Sequence, residues 1–213
     1  MKHNLAAIRQ DFCKQELSPE DCLADPHAQF ERWLHEAISA QVPEPTAMHL
    51  ATVGADGRPS ARLVLLKAVE LKQFVFYSNY LSRKGEQLAH NKFVALTFFW
   101  PELERQVRIE GQAHAVAPEV SDAYFASRPY TSRIGAWASQ QSAALDSKTT
   151  LVKRAAEFTL KYFNEVPRPA HWGGYAVSAD RIEFWQGRPS RLHDRVLYTL
   201  TADGQWTRTR LYP

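Results

Sequence analysis

Short runs of alternating or uniformly apolar residues fill most of the chain beyond Ala47, and residues typical of turns separate them. Runs of this length predict strands at 47–53, 60–69, 73–78, 93–100, 104–116, 174–186, 192–200 and 205–212. The Asp-Gly turns at 56–57 and 203–204 each join two such runs, as in hairpins. We expect a mainly β protein of antiparallel strands, closed or nearly closed into a barrel because closure removes unpaired strand edges.

Apolar residues recur at helical spacing in two segments, and a proline opens a third helix. One amphipathic helix carries Phe30, Trp33, Leu34, Ala37 and Ile38 on one face and ends before Pro43 and Pro45. Pro118 opens a helix at 118–127. A helix at 147–163 is predicted from a stripe of Leu151, Ala155, Phe158 and Tyr162. These helices are expected to lie at the periphery of the sheet.

The first 25 residues are polar and weakly patterned, with a short helix expected around Leu5, Ile8 and Phe12. We expect residues 1–25 to form a flexible segment that could serve as a lid. Residues 26–213 are expected to form a single domain, because 213 residues with 45% hydrophobic side chains can bury one sizeable core.

Composition and charge narrow the function classes. The formal net charge of +3 is only mildly basic and no concentrated basic face is evident, so nucleic acid is not an expected partner. No signal-peptide run or membrane-length apolar run is found, and no membrane partner is expected. Cys13 and Cys22 have neither disulfide nor metal-ligand spacing, so we expect a cytoplasmic protein with free thiols and no metal.

The segment from Glu183 to Arg195 concentrates three arginines, a histidine, an aspartate and a tryptophan between two predicted strands. This charge density is unusual for strands and suits anions, because arginine presents a planar fork of donors and histidine exchanges a proton near neutral pH. The alternative is a solvent-exposed hairpin whose charges only keep the protein soluble.

A second cationic cluster lies upstream. Arg62 and Lys67 flank an apolar strand, and Ser82 is a candidate N-cap for a helix running to about Asn91. Arg83 and Lys84 then fall in the first turn, where cations are unfavourable unless an anion binds there, so a phosphate site is expected. Arg62 and Lys67 are five residues apart, and a regular strand would point them to opposite faces. A bulge, a strong twist or a ligand lying across the strand end must reconcile them.

In order and spacing, these segments resemble the pyridoxamine 5′-phosphate oxidase family. The resemblance runs from about Phe30 to Pro213 and rests on Arg62 to Lys67, Tyr77-Ser78, Ser82-Arg83-Lys84, Arg105-Gln106-Val107, Tyr124-Phe125, Ser127-Arg128-Pro129, residues 134–139, Gln141-Ser142 and residues 172–175. It implies a split β-barrel of the FMN-binding type and a homodimer with FMN at the subunit interface.

The activity that the resemblance implies is FMN-dependent oxidation of pyridoxamine and pyridoxine 5′-phosphates by O2 in vitamin B6 metabolism. The products are pyridoxal 5′-phosphate and H2O2, with ammonia released from the amine. Two phosphorylated ligands require two anion sites, which accounts for cations in separate clusters.

The resemblance also implies roles for individual residues. FMN contacts are implied for Arg62, Leu63, Val64, Leu65, Leu66, Lys67, Tyr77, Ser78, Arg83, Lys84, Gln106, Gln141, Ser142, Trp185 and Arg195. Substrate contacts are implied for Lys67, Tyr124, Arg128, Ser132, Arg191, Leu192 and His193. Arg191 and His193 would lie over the substrate ring as the catalytic residues, with His193 a positioning group rather than a general base. Asp194 next to His193 suggests a proton relay, and the alternative is that Asp194 only forms a salt bridge with Arg191 or Arg195.

The sequence departs from the family pattern at the N-terminal segment. Phe12 stands where tyrosine is usual, and residues 13–16 replace a stretch that usually contains glycine; Arg9 still matches. Tyr212 replaces a small residue near the end of the chain. These changes bring the lid into question and leave the flavin site intact.

Two other functions fit parts of the pattern. A non-catalytic flavin or B6-phosphate binding protein would keep the phosphate clusters but could dispense with Arg191 and His193. A split-barrel flavin reductase would have little need of the pocket formed by Tyr124, Arg128 and Ser132.

Overall fold

The computed structural model describes residues 11–213, in which extended strands predominate. The strands are β1 (Ala47–Val53), β2 (Pro59–Leu65), β3 (Ala68–Glu70), β4 (Gln73–Asn79), β5 (Phe93–Trp100), β6 (Arg105–Ala115), β7 (Trp172–Gln186), β8 (Asp194–Leu200) and β9 (Trp206–Arg210). They hydrogen-bond in the order β2-β1-β5-β6-β7-β4-β3, and β8 pairs with both β7 and β9.

Five α-helices accompany the strands within the described residues. They are α1 (Pro26–Ser39), α2 (Arg83–His90), α3 (Pro118–Ser127), α4 (Tyr130–Ala138) and α5 (Lys148–Lys161). Short 3-10 turns occur at Pro101–Leu103 and Pro189–Arg191. None of these helices has the length and apolar composition needed to cross a membrane.

Most predicted elements are confirmed, with instructive exceptions. The strand expected at 60–69 is wrong as a single element, because it breaks at Leu66 and Lys67 between β2 and β3. Helix α4 was not predicted, since it lacks both a side-chain cap and a clear apolar stripe. Helix α1 ends at Ser39, where the Ala40 N–H caps the last turn, ahead of the two prolines. The helix expected around Leu5 and Ile8 lies outside the described residues, and Phe12 is not helical.

The chain divides into two compact units. The first comprises the segment that ends at His49 together with Ala95–Glu110 and Ala179–Pro213. Its core is aromatic: Phe30 of α1 packs against Phe98 at 5.0 Å between ring centroids, and Trp33 meets the edge of Phe184 at 5.2 Å. The amphipathic face predicted for α1 therefore forms this core, although Ile38 is 51% exposed.

The second unit comprises Leu50–Val94 and Gly111–Ser178. A cluster of Phe125, Ile134, Val166 and Trp172 forms one of its cores, and Ala155 and Phe158 of α5 pack against it together with the C-cap residue Tyr162. Leu151 was predicted to share that stripe, but it is 36% exposed. This cluster holds α3 and α4 beside the beginning of β7.

The link between β4 and α2 is tightly packed. Ser82 caps α2 as predicted, its hydroxyl accepting from the Gly85 N–H, and Asn91 is the C-cap. A Cβ atom added to Gly85 would lie 2.0 Å from the carbonyl oxygen of Tyr80. Because that neighbour is backbone, only glycine fits here without moving the loop.

We predict that Gly85→Ala lowers the free energy of unfolding by roughly 1–3 kcal/mol, the usual cost of forcing an extra group into a packed site. Urea unfolding of the purified protein measures the change. Gly135→Ala is the matched control, since Gly135 also lies in a helix but has no atom within 4 Å of an added Cβ. That variant should be neutral or slightly more stable. Equal stability of the two variants would contradict the packing argument.

Candidate active site

A cavity of about 770 Å³ opens in the second unit. It gathers most of the ligand-binding residues that the sequence indicated: Arg62, Leu63, Val64, Leu65, Lys67, Tyr77, Ser78, Arg83, Lys84, Tyr124, Arg128, Ser132, Gln141 and Ser142. Asn79, Gly135, Ala136, Ser139 and Trp172 complete its wall. Leu66 does not line it, because its side chain is buried in the core.

The strand break explains how Arg62 and Lys67 reach the same cavity. β2 ends at Leu65 and β3 begins at Ala68, so the alternation of faces does not carry through Lys67. The Lys67 N–H donates to the carbonyl of Val75 at 2.8 Å, which ties this connection to β4. The conflict noted in the sequence is thus resolved by an interruption of the strand.

Arg62 is held by neutral groups. Its Nη1 donates to the Leu50 carbonyl at 3.1 Å and to Thr52 Oγ1 at 2.5 Å, and its Nη2 donates to Ser60 Oγ at 2.7 Å. Gln87 Oε1 accepts from Thr52, Ser60 and Arg62 together. These bonds therefore orient the guanidinium, and none of them comes from a carboxylate that would neutralise its charge.

Lys84 lies at the first turn of α2 and is 7% exposed. Its ammonium donates to Ser82 Oγ at 3.2 Å and to Gln141 Oε1 at 3.0 Å. Burial, with the nearby Arg62 cation, lowers the pKa of Lys84 to about 8. Burial, together with Arg83, also lowers the pKa of Arg62. No carboxylate of residues 11–213 forms an ion pair with these three cations, so this part of the cavity favours an anion.

Helices α3 and α4 place a second set of polar side chains in the same cavity. Arg128 is the C-cap residue of α3, and Ser132 lies in the first turn of α4. The Arg128 Nη1 atom is buried and has no hydrogen-bond partner among the described residues. Tyr124 stacks on Tyr77 with ring centroids 3.8 Å apart. Burial raises the pKa of Tyr124, so its hydroxyl stays protonated and can donate.

The remaining predicted residues belong to the first unit and do not line this cavity. Gln106 lies half-buried on β6, and the charged segment forms the connection between β7 and β8. There Trp185 pairs with Arg195 across the strands, and its ring lies 4.6 Å from that of His193. Leu192 is 70% exposed.

The surroundings of His193, which lies in this connection, favour the neutral form of its ring. Burial and the adjacent Arg191 lower the pKa of His193, against the opposing effect of Asp194. The Arg188 N–H donates to His193 Nδ1 at 3.1 Å. That bond leaves the proton of the neutral ring on Nε2, which makes His193 a donor at its free nitrogen rather than a base.

The arginines of the connection differ in how fully they are neutralised. Arg195 donates from Nε and Nη2 to the two oxygens of Glu183, both at 3.0 Å, and from Nη1 to the Tyr212 carbonyl. The hydrogen bond to Glu183 raises the pKa of Arg195. Arg191 is exposed, has a φ of 62° and forms no ion pair with a described carboxylate. Arg191 therefore remains available to an external anion or dipole.

The salt bridge considered as an alternative for Asp194 forms with other arginines. Its carboxylate contacts Arg188 at 3.5 Å and Arg210 at 3.0 Å, not Arg191 or Arg195. β9 places Arg210 one strand away from Asp194, a long-range pairing that nearest-neighbour reasoning along the chain could not find.

The N-terminal segment packs on this connection. Phe12 meets the rings of Trp185 and His193 edge-on, at 5.7 and 5.9 Å. Glu104 accepts from the backbone N–H groups of Cys13 and Lys14 at 2.9 and 3.0 Å. The substitutions at 12–16 therefore do not prevent the segment from covering Trp185 and His193, while Arg9 lies outside the described residues.

Comparison with known proteins identifies the family. A family model described as pyridoxamine 5′-phosphate oxidase matches residues 34–162. A second, described as the pyridoxine 5′-phosphate oxidase C-terminal dimerisation region, matches residues 172–213. The chain belongs to the pyridoxamine 5′-phosphate oxidase family.

Relatives within this oxidase family are similar over their whole length. The pyridoxine/pyridoxamine 5′-phosphate oxidase of Chromobacterium violaceum is 71% identical over 213 residues, covering 100% of both chains. The protein of the same name from Neisseria gonorrhoeae is 58% identical, covering 99% of this chain and 100% of its own. The resemblance inferred from the sequence is confirmed.

Solved structures confirm the fold. PhzG from Burkholderia lata 383, crystallised with tetrahydrophenazine-1-carboxylic acid, has a TM-score of 0.87 and 32% identity, covering 92% of this chain and 98% of its own. A pyridoxamine 5′-phosphate oxidase-related, FMN-binding protein from Nostoc punctiforme has a TM-score of 0.71 and 15% identity over 93% and 100%. The predicted fold class, a split β-barrel of the FMN-binding type, is therefore correct, and the oxidase family places this chain among flavin-dependent oxidoreductases.

The lowered pKa of Lys84 predicts how the cavity binds anions as pH changes. Below about pH 8 the ammonium is charged and attracts phosphate, and above it the charge is lost. We expect the Kd of inorganic phosphate, from thermal-shift titrations, to rise roughly 10-fold or more between pH 7 and 9.5, as for the loss of a charge-assisted hydrogen bond.

Lys84→Met is the control, since it removes the titrating group. Its phosphate affinity should be low and nearly constant over this pH range. A wild-type Kd that does not change across pH 8 would mean that Lys84 does not contact the anion.

Proposed function

We propose that this protein is an FMN-dependent oxidase of pyridoxamine 5′-phosphate and pyridoxine 5′-phosphate. O2 is the electron acceptor, and the products are pyridoxal 5′-phosphate and H2O2, with ammonia released when the amine is oxidised. The observation that carries the proposal is the cavity that holds two groups of cationic side chains without carboxylates, because both FMN and the B6 substrate end in a phosphate. The names of the full-length relatives support it.

The residues of the cavity fit an FMN phosphate and its chain. Arg62, Arg83 and Lys84 would hold the phosphate, and Gln141 and Ser142 would contact the ribityl chain. Further contacts, as the family resemblance implies, would come from residues 63–67, Tyr77, Ser78, Gln106, Trp185 and Arg195. When bound, FMN would accept the hydride from the 4′ carbon of the substrate and pass the electrons to O2.

Substrate binding would use the second set of polar side chains in the cavity. Lys67, Tyr124, Arg128 and Ser132 would hold the substrate phosphate, and the unpaired Nη1 of Arg128 is a donor in need of such an acceptor. Arg191, Leu192 and His193 would contact the B6 ring. As a neutral donor at Nε2, His193 would orient a ring substituent, and the proton lost from the substrate has no assigned acceptor among these residues.

We further propose that the protein is a cytoplasmic homodimer with FMN at the subunit interface, in which residues 26–213 form one domain. The match of residues 172–213 to a dimerisation region supports the dimer. Leu63 and Leu65 alternate with half-buried residues on β2 and are 62% and 40% exposed, as expected of a strand that a second copy covers.

The spectrum of the purified protein tests the proposed function. A flavin absorption band that pyridoxamine 5′-phosphate bleaches without oxygen, and that air restores, requires both cofactor and reaction. A band that does not respond to the substrate would favour a binding protein. A band bleached only by a nicotinamide donor would favour a flavin reductase.

Arg191 and Arg195 should differ when each is replaced by alanine. Arg191→Ala should keep its flavin and lose on the order of 10²-fold in kcat/KM for pyridoxine 5′-phosphate, as when a preorganised cation is removed from an active site. Arg195→Ala should instead weaken flavin binding or change the spectrum, and it also leaves Glu183 with its weaker contact to Arg108, at 3.4 Å. Steady-state kinetics and flavin titration of both variants measure the difference. Normal turnover by Arg191→Ala would exclude Arg191 from catalysis.

Pyridoxine without its phosphate should be a poor substrate. Its kcat/KM should lie about 10²-fold or more below that of pyridoxine 5′-phosphate, since two or more charge-assisted contacts are lost. Arg128→Ala should narrow this gap by slowing only the phosphorylated substrate. Comparable values for both substrates in the wild-type protein would argue against a phosphate pocket at Arg128.

A further inference from the structure

Trp172 lines the cavity, yet neither the motifs nor the family comparison gives it a role. The Cζ atom of Arg128 lies 4.6 Å from the centroid of the Trp172 ring and 5.5 Å from that of Phe125. We propose that Trp172 is a positioning residue, which holds the Arg128 guanidinium by a cation–π contact so that it binds the phosphate of the substrate. This inference rests on the proposed function.

The surroundings of Arg128 show why its guanidinium needs an aromatic ring to hold it in position. Its Nη1 is buried without a hydrogen-bond partner, and no carboxylate within residues 11–213 pairs with it. A long side chain without a partner would ordinarily lose its orientation, and a partly buried charge is costly to leave unpaired. Aromatic faces attract a guanidinium without supplying negative charge, so the cation is fixed and still free to bind an anion.

Trp172 is itself fixed from several directions. It is 7% exposed, and Phe125 meets its ring edge-on at 5.1 Å. Its backbone N–H donates to the Pro169 carbonyl at 3.0 Å, and its backbone carbonyl accepts from Arg168 Nη1 at 2.7 Å. As the first residue of β7, it also pairs with Asn79 of β4. The indole can therefore impose an orientation on its neighbours.

The same indole aligns a second proposed phosphate ligand. Tyr77, Tyr124 and Trp172 are nearly parallel, with interplanar angles of 10° between Tyr77 and Trp172 and 3° between Tyr124 and Trp172. Tyr77 and Tyr124 differ by 13°. Removing the indole should thus disturb Tyr124 as well as Arg128, both of which would face the substrate phosphate.

The test compares Trp172→Leu with Trp172→Phe. The leucine variant should raise the KM for pyridoxine 5′-phosphate on the order of 10-fold with a smaller change in kcat, while the KM for unphosphorylated pyridoxine stays nearly constant. The phenylalanine variant keeps an aromatic face and should recover most of the affinity. A KM for pyridoxine 5′-phosphate that is the same in Trp172→Leu and wild type would overturn the proposal.

Trp137→Leu is the matched control for loss of a core tryptophan. Trp137 packs on the same cluster, against Phe158 and Tyr162, and makes no cation–π contact with Arg128. That variant should lose stability without changing the preference for phosphorylated substrate. If it changes the preference as much as Trp172→Leu does, the effect is general destabilisation and the proposal fails.

A double-mutant cycle measures the coupling between Trp172 and Arg128 in phosphate discrimination. A purely structural role of Trp172 would give no such coupling. In an Arg128→Met background, Trp172→Leu should have a clearly smaller effect on phosphate discrimination than in the wild type, because only Tyr124 remains of the two groups that the indole aligns. Full additivity of the two effects would overturn the proposal.

Equilibrium binding separates this inference from the proposed function. Calorimetry with 4-deoxypyridoxine 5′-phosphate, which lacks the oxidisable group, measures phosphate recognition whether or not the protein turns over substrate. Absence of oxidation by the wild type would refute the proposed function alone. Equal affinity of wild type and Trp172→Leu for this analogue would refute the role of Trp172 alone.

Discussion

Arg62, Lys84 and Arg128 must stay cationic inside a partly buried cavity, and no described carboxylate pairs with any of them. Burial disfavours a charge, which is why the pKa of each group is lowered. The second unit meets this constraint with neutral dipoles and aromatic faces: Thr52, Ser60 and Gln87 around Arg62, Ser82 and Gln141 around Lys84. Such groups fix a cation without cancelling its field. The remaining attraction is directed at a phosphate, so orientation and charge serve binding together.

The connection between β7 and β8 follows the opposite rule, since most of its cations are paired. Glu183 neutralises Arg195, and Asp194 lies between Arg188 and Arg210. These pairs stabilise the hairpin and leave Arg191 as an arginine of the connection without a carboxylate partner among the described residues. Ser190 and Arg191 both have positive φ values, at 56° and 62°, a conformation that costs energy for residues other than glycine. Backbone strain beside an unpaired arginine is typical of a functional position.

Local sequence signals predicted the parts of the fold that local physics determines. The cap at Ser82, the proline that opens α3 and the alternation along β6 depend on a few neighbouring residues. The break at Leu66 and Lys67 could not be predicted, because Lys67 bonds to Val75 on another strand. Trp172 was visible in the sequence, but its stacking on Arg128 depends on α3 lying beside β7. Residues that contact ligands are recognisable by type, whereas residues that orient them become apparent only through tertiary contacts.

The N-terminal segment shows why substitutions there need not abolish its function. Part of its attachment uses backbone groups, since Glu104 accepts from the N–H groups of Cys13 and Lys14, and Asp194 accepts from that of Leu17. The side chains of Lys14, Gln15 and Glu16 also contact Glu102, Arg105 and Arg188. Every residue except proline supplies a backbone donor, so the bonds to Glu104 and Asp194 do not depend on the identity of the side chains at 13, 14 and 17. The side chain of Phe12 contributes a face toward Trp185 and His193, a contact that does not require the hydroxyl of a tyrosine. Glu104, a buried residue outside the segment, therefore contributes to the covering of His193 by accepting two backbone bonds from it. Glu104 lies just before β6 and has a φ of 54°.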